Sequence, residues 1–288
     1  MSIIEKAIAK LNQNKQQNND VFDAGNNKTR FAKGNADKKP QYSDLQLKFN
    51  LETLSAAGIV APNEHAPYLS DEFRRIKRPL LNNAFGSSSE LVENGNVIMI
   101  TSSLPGEGKS FSSVNLALSI ALEKDFTVLL LDADLAMRKI TRMFGLENRP
   151  GLTDKLENSD LDLAELLIKT DFPGLSVIPS GKKTTMATEL LASNVMKELI
   201  QEVSNRYSNR IIIFDSPPLL ATPESSVLAE QMGQIVIVVE ANKTPQSAVL
   251  DSISLLNKEK AISLILNKTS KGFGYEQYGN YSSYGRHV

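Results

Sequence analysis

Short apolar runs alternate with amphipathic stretches through most of this chain. The runs at 97–101 (VIMIT), 127–132 (TVLLLD), 175–179 (LSVIP), 210–215 (RIIIFD), 234–240 (QIVIVVE) and 261–267 (AISLILN) read as strands. Helices are predicted from Lys109, within 152–169, near 188–206 and near 245–258. Strands this continuously apolar are buried on both faces, as in a parallel sheet covered by helices. The expected fold class is therefore α/β: three layers, a mostly parallel sheet with helices on both faces.

The flanks have a different texture. Residues 2–11 place Ile4, Ile8 and Leu11 on one helical face. Residues 12–44 are rich in Asn, Lys, Gln and Asp, bury little and read as a disordered linker. Near residue 70 a helix is expected, with Ser70 as N-cap and Asp71 and Glu72 in its first turn. Pro79 is expected to kink or end it. After Lys268 the chain turns Gly-rich. The organisation read from this is a helix and linker over 1–60, a domain over 61–270 and a flexible tail over 271–288.

Composition narrows the classes. The 288 residues include no cysteine, which excludes disulfides, thiolate catalysis and Cys-based zinc sites. The formal net charge of −1 points to no nucleic-acid partner. No apolar run approaches the ~20 residues of a membrane helix, and the N-terminus lacks a signal-peptide pattern. A soluble, cytoplasmic protein is expected, reaching a membrane only through a partner. His65 and His287 are isolated in sequence and read as solvated.

Ser103-Leu-Pro-Gly-Glu-Gly-Lys-Ser110 follows the first strand and opens the first helix of the apolar pattern. It fits the phosphate-binding loop G-x-x-x-x-G-K-[ST], with Ser103 replacing the first glycine. Such a loop turns backbone N–H groups toward phosphate oxygens, and the following helix adds its positive end. Lys109 would reach the β- and γ-phosphates and the Ser110 hydroxyl would ligate Mg²⁺. The nucleotide-binding set read here is Ser103, Pro105, Gly106, Glu107, Gly108, Lys109, Ser110 and Phe111. The domain is thus expected to be of P-loop NTPase type. Asn267, ending the last strand, reads either as an adenine contact or as a plain polar strand end.

Two later strands end in acid, at Asp132 and Asp134 and at Asp215. Phosphate chemistry sits at the carboxyl ends of parallel strands. Carboxylates delivered there can hold Mg²⁺, position a nucleophile and take its proton. Asp215 fits a metal carboxylate acting through water, Asp132 the group nearest an attacking hydroxyl, and Asp134 a second metal or positioning ligand. Ser110, Asp132 and Asp215 form the metal set; Lys109, Asp132, Asp134 and Asp215 form the catalytic set.

Four of the seven tyrosines, Tyr275, Tyr278, Tyr281 and Tyr284, recur every third residue in the terminal segment. Together with Ser103–Ser110, Leu129–Asp134 and Ile211–Pro218, they make the chain resemble the bacterial tyrosine autokinases of exopolysaccharide export. The resemblance spans roughly 65–288, and the N-terminal segment is similar to the exosortase-associated branch. It implies ATP and Mg²⁺ as cofactors and autophosphorylation of the four tail tyrosines in trans. It also matches Glu72, Arg75 and Arg78 to an E-x-x-R-x-x-R helix used in ring assembly. A separate membrane chain-length-determinant (co-polymerase) activator and a tyrosine phosphatase are implied as partners. There are departures: Ala136 stands where the family has arginine, with Arg138 and Lys139 just beyond, and the family's Asn-Pro after the third strand is missing. Two alternatives remain. One is an ATPase switch of the partition or septum-site type, against which Leu104 stands at that family's signature lysine. The other is a nucleotide-binding scaffold.

Overall fold

The computed structural model describes residues 47–49, 54, 58–59, 67–86 and 91–269, with only the backbone given for 67–70. The helical face at 2–11, the linker at 12–44, the tail tyrosines, His65 and His287 lie outside these residues.

The order of elements is α1 (Pro67–Phe85), β1 (Val97–Ser102), α2 (Lys109–Ala121), β2 (Thr127–Asp132), α3 (Lys139–Met143), α4 (Leu152–Glu157), α5 (Leu163–Leu166), β3 (Ile168–Lys169) and β4 (Leu175–Ile178). It continues with α6 (Ala187–Leu191), α7 (Asn194–Asn205), β5 (Arg210–Asp215), α8 (Glu224–Ala229), β6 (Gln234–Glu240), α9 (Gln246–Ser254) and β7 (Ala261–Asn267). The strands form one sheet in the order β3-β4-β2-β5-β1-β6-β7, parallel except where the two-residue β3 runs against β4.

The apolar runs are continuous because each central strand feeds two cores. Ile98, Ile100, Val128, Leu130, Ile211 and Ile213 face one side, with α1 and α2. Met99, Leu129, Leu131, Ile212 and Phe214 face the other, with α7 and α8. Alternate side chains point to opposite faces of a strand, so both faces demand apolar residues.

Several expectations are corrected. The first helix starts at Pro67, not at a Ser70 cap, and continues through Pro79 to Phe85. Pro79 lies on the exposed side, while Phe73, Lys77, Leu80 and Leu81 anchor the other side in the core. That anchoring offsets the missing backbone donor. Lys77 donates to the Ser119 carbonyl at 2.7 Å and pairs with Glu123 at 2.6 Å, tying α1 to α2. The helix expected near 188–206 is two helices, because the Ser193 hydroxyl accepts from the Met196 N–H and caps α7. The stretch 152–169 holds two short helices and then β3. The short α3 and α8 were not anticipated.

Leu47 bridges to Thr170, and Leu54 and Ile59 are buried in the first core. The apolar residues of a stretch read as linker thus join the fold.

Leu130 is fully buried, whereas Leu264 on the edge strand β7 is 56% exposed. Leu130→Ala should destabilise the domain by about 2–5 kcal/mol, and Leu264→Ala by no more than about 0.5 kcal/mol. Denaturant midpoints of the two variants check this.

Candidate active site

The loop between β1 and α2 is built by two glycines in left-handed conformation, Gly106 (φ 88°) and Gly108 (φ 100°). Gly108 is constrained twice, since a Cβ there would lie 2.1 Å from Asn267 Nδ2. Among the described residues, the non-glycine positions with positive φ are Asn94, Arg138, Asn242 and Lys268. Ser103 therefore keeps an ordinary backbone, and the family's first glycine is dispensable in this loop.

The end of β7 braces the loop. Asn267 Nδ2 donates to the Glu107 carbonyl at 2.9 Å, and Lys268 Nζ donates to the Gly106 carbonyl at 2.8 Å. Lys268 also pairs with Glu240 at 3.0 Å. With these carbonyls engaged from outside, the loop is held from its outer side. Glu107 is 2% exposed. Its carboxylate accepts from the Leu104 N–H at 2.7 Å and from the Thr244 hydroxyl. The Glu107 side chain thus locks the loop and is turned away from any phosphate. The Phe111 side chain packs in the first core near Phe73, ring centroids 6.2 Å apart, leaving only its backbone to serve a nucleotide. The roles of Thr244, Lys268 and Glu240 were not read from sequence. Lys268 and Glu240 flank strand ends, but nothing in their spacing points to the loop.

Three carboxylates and an ammonium meet below the loop. Asp132 and Asp215 are register partners on the adjacent parallel strands β2 and β5. Both are fully buried, and Asp134 and Lys109 are nearly so. Lys109 Nζ pairs with Asp134 Oδ2 at 2.8 Å, and Asp134 Oδ1 accepts from the Met137 N–H at 3.0 Å. Both Asp134 oxygens are therefore engaged by protein, one of them orienting Lys109. Asp215 Oδ1 accepts from the Ser113 hydroxyl at 3.0 Å. Asp132 Oδ2 accepts from both the N–H and the hydroxyl of Thr141, at 2.8 and 2.7 Å.

Asp132 Oδ1 is buried without a hydrogen-bond partner. An uncompensated buried oxygen of this kind is costly. Ser110 Oγ and Asp215 Oδ2 are buried as well, and the Ser110 hydroxyl is near enough to the Asp215 carboxyl to favour its charged form. A hydroxyl and two carboxylates are hard oxygen donors that suit Mg²⁺, which retains water and phosphate oxygens as its other ligands. Among the described residues no cluster of three acidic or imidazole side chains is placed to hold a metal.

Burial pushes the Asp132 carboxyl up to about 7, and the neighbouring Asp215 charge adds to it. Burial likewise raises Asp215 to about 6, against the pull of Lys109. Both folded values lie above the ordinary 3.8. Between about 4 and about 7 the folded state then holds more protons than the unfolded chain, so stability falls as pH rises through that window. In chelator, the melting temperature should drop from about pH 5 to about pH 8. Asp132→Asn should flatten the slope, and a flat wild-type profile would contradict this charge arrangement.

Glu72, Arg75 and Arg78 are all exposed along α1. Among the described residues no helix is long and apolar enough to cross a membrane.

Residues 95–267 match the AAA domain family. The chain is 32% identical over 239 residues to the tyrosine-protein kinase YwqD of Bacillus subtilis, covering 82% of this chain and 97% of that one. It is 37% identical over 149 residues to the tyrosine-protein kinase ptk of Acinetobacter johnsonii, covering 52% of this chain but only 20% of that longer protein. Among solved structures, the VpsO kinase domain aligns with a TM-score of 0.55 at 31% identity, covering 70% of this chain and all of that one. With the phosphate loop, the paired strand-end aspartates and this likeness over nearly the whole length of a relative, the chain belongs to the bacterial tyrosine kinases built on the P-loop AAA domain.

Proposed function

We propose that the protein is an ATP-dependent tyrosine autokinase that phosphorylates Tyr275, Tyr278, Tyr281 and Tyr284 of a neighbouring copy, in the service of exopolysaccharide polymerisation and export. The observation that carries this reading is the side-by-side placement of Asp132 and Asp215 beneath a phosphate loop whose lysine is already oriented by Asp134.

In the transfer, a tail tyrosine Oη bonds to the γ-phosphorus of ATP while the bond to the β–γ bridging oxygen breaks, and ADP leaves. The phenolic proton passes to the Asp132 carboxyl, whose raised affinity for a proton suits a base working near neutral pH. Lys109 meets the charge on the departing phosphates, and the loop N–H groups and the start of α2 hold them in line. Ser110 and Asp215 would hold Mg²⁺, which would supply charge neutralisation on the phosphates, while Asp132 Oδ1 is kept for the phenolic proton.

Trans transfer follows from reach. A Gly/Ser-rich segment of this length has an r.m.s. span of roughly 20–25 Å and extends to about 55 Å, enough to enter an adjacent pocket. Each phosphate adds about −1.5 to −2 charges, so a modified tail would repel its neighbours and loosen a ring. Glu72, Arg75 and Arg78, exposed at i, i+3 and i+6 on α1, are the surface proposed to close that ring. A separate membrane co-polymerase chain is the proposed activator and membrane tether, and a tyrosine phosphatase the proposed antagonist. Asn267, engaged with the Glu107 carbonyl, is assigned to bracing the loop in preference to adenine recognition.

Incubation with Mg·ATP and the activating segment, followed by mass spectrometry, tests the reaction. Tail phosphotyrosine is expected, and Lys109→Met should reduce it by about a hundredfold or more. Phosphate release without labelling would identify an ATPase switch, and neither signal a scaffold. Sedimentation tests the ring. Simultaneous Glu72→Ala, Arg75→Ala and Arg78→Ala should shift the unphosphorylated protein to smaller species, and ATP treatment should do the same to the wild type.

A further inference from the structure

Arg138 does not take over the family arginine's place near the nucleotide. Its backbone is left-handed (φ 50°) and its side chain is buried. Nε donates to Ser180 Oγ at 2.9 Å, and Nη2 donates to the Glu147 carbonyl at 3.3 Å. Ser180 Oγ lies 2.9 Å from Thr141 Oγ1, which also accepts from the Ser180 N–H at 2.8 Å. Thr141 Oγ1 in turn reaches Asp132 Oδ2 at 2.7 Å.

The direction of every bond in this series is determined. A guanidinium only donates, so Ser180 Oγ accepts from Arg138. A carboxylate oxygen accepts, so the single Thr141 hydroxyl proton goes to Asp132, which leaves Thr141 Oγ1 to accept from the hydroxyl and the N–H of Ser180. Oδ2 of Asp132 then accepts from both the hydroxyl and the N–H of Thr141. The carboxylate is held in one orientation, and Oδ1 is its one oxygen without a partner. The chain fastens together the end of β2, the start of α3 and the turn after β4. Lys109, Asp134 and Asp215 make no hydrogen bond to Oδ2, whose partners are the N–H and hydroxyl of Thr141.

We propose that Arg138, Ser180 and Thr141 are positioning residues for phosphoryl transfer: a one-way hydrogen-bond chain anchored on a buried guanidinium that presents Asp132 Oδ1 to the reacting groups. This rests on the assignment of Asp132 to the transfer. Such a chain acts on the chemical step and leaves ATP binding to the phosphate loop. Its members act as one unit, so their effects do not multiply.

The test uses the full chain with its activating segment and follows tail labelling against ATP concentration. Thr141→Val is expected to lower kcat by about tenfold with the KM for ATP within about twofold, and Thr141→Ser to restore kcat to within about twofold of wild type. Arg138→Met is expected to lower kcat by about three- to fivefold, and the double variant to be no slower than Thr141→Val alone. Ser180→Ala, which changes the fold least, should match Arg138→Met or exceed it. Wild-type kcat in Arg138→Met and Ser180→Ala, losses that multiply in the double variant, or a rise in KM in place of the fall in kcat would each overturn the proposal. Should the wild type release phosphate from ATP without labelling any tyrosine, the kinase reading fails, and the same variants scored by phosphate release still decide the chain.

Discussion

Two carboxylates sit side by side in the interior because β2 and β5 are parallel neighbours in a register that pairs Asp132 with Asp215. Much of the surrounding structure answers this one electrostatic constraint. Burial pushes both acids up, to about 7 and about 6, with the Asp215 charge adding to the rise of Asp132 and the Asp134 charge to that of Asp215. Lys109 offsets part of that repulsion, and Asp134 fixes where its charge lies. Thr141 engages one Asp132 oxygen and leaves the other open, while the Ser113 and Ser110 hydroxyls attend Asp215. A site that keeps a buried carboxylate oxygen unpaired is less stable than one that satisfies it, and is for that reason suited to a divalent cation and the phosphates it accompanies.

The phosphate loop shows a second constraint, applied from outside. Its backbone follows left-handed glycines, but its position is set by Asn267, Lys268, Thr244 and Glu240, contributed by the ends of β6 and β7 and the turn between β6 and α9. Lys268 stands just ahead of the tyrosine-bearing segment. The loop that would hold the donor and the root of the segment that would supply the acceptor thus share a hydrogen bond.

How far the sequence was legible varied with the range of the interaction. The phosphate loop, the strand-end acids and six strands are local patterns: glycine spacing, apolar continuity, an acid at a strand's end. The partners of those acids are not. Thr141 and Ser180 are ordinary residues far apart in the chain, and no periodicity marks them as neighbours of Asp132. Pro79 reads locally as a helix breaker, yet core anchoring by Phe73, Leu80 and Leu81 carries the helix past it. Leu54 and Ile59 lie ahead of the first predicted helix, and only the complete core shows them as members.

The order of residues alone thus determined the chemistry on offer: a lysine and a serine at the start of a helix, acids at the ends of buried strands, tyrosines in a Gly-rich terminal segment. Each is specified by a few adjacent residues, because backbone conformation and strand burial are local demands. Tertiary structure decided how that chemistry is arranged. It matched Lys109 to Asp134, set Asp132 against Asp215, turned Glu107 and Arg138 away from the phosphates, and braced the loop with the last strand. Those choices depend on strand order and register, which arise only when distant segments pack into one sheet.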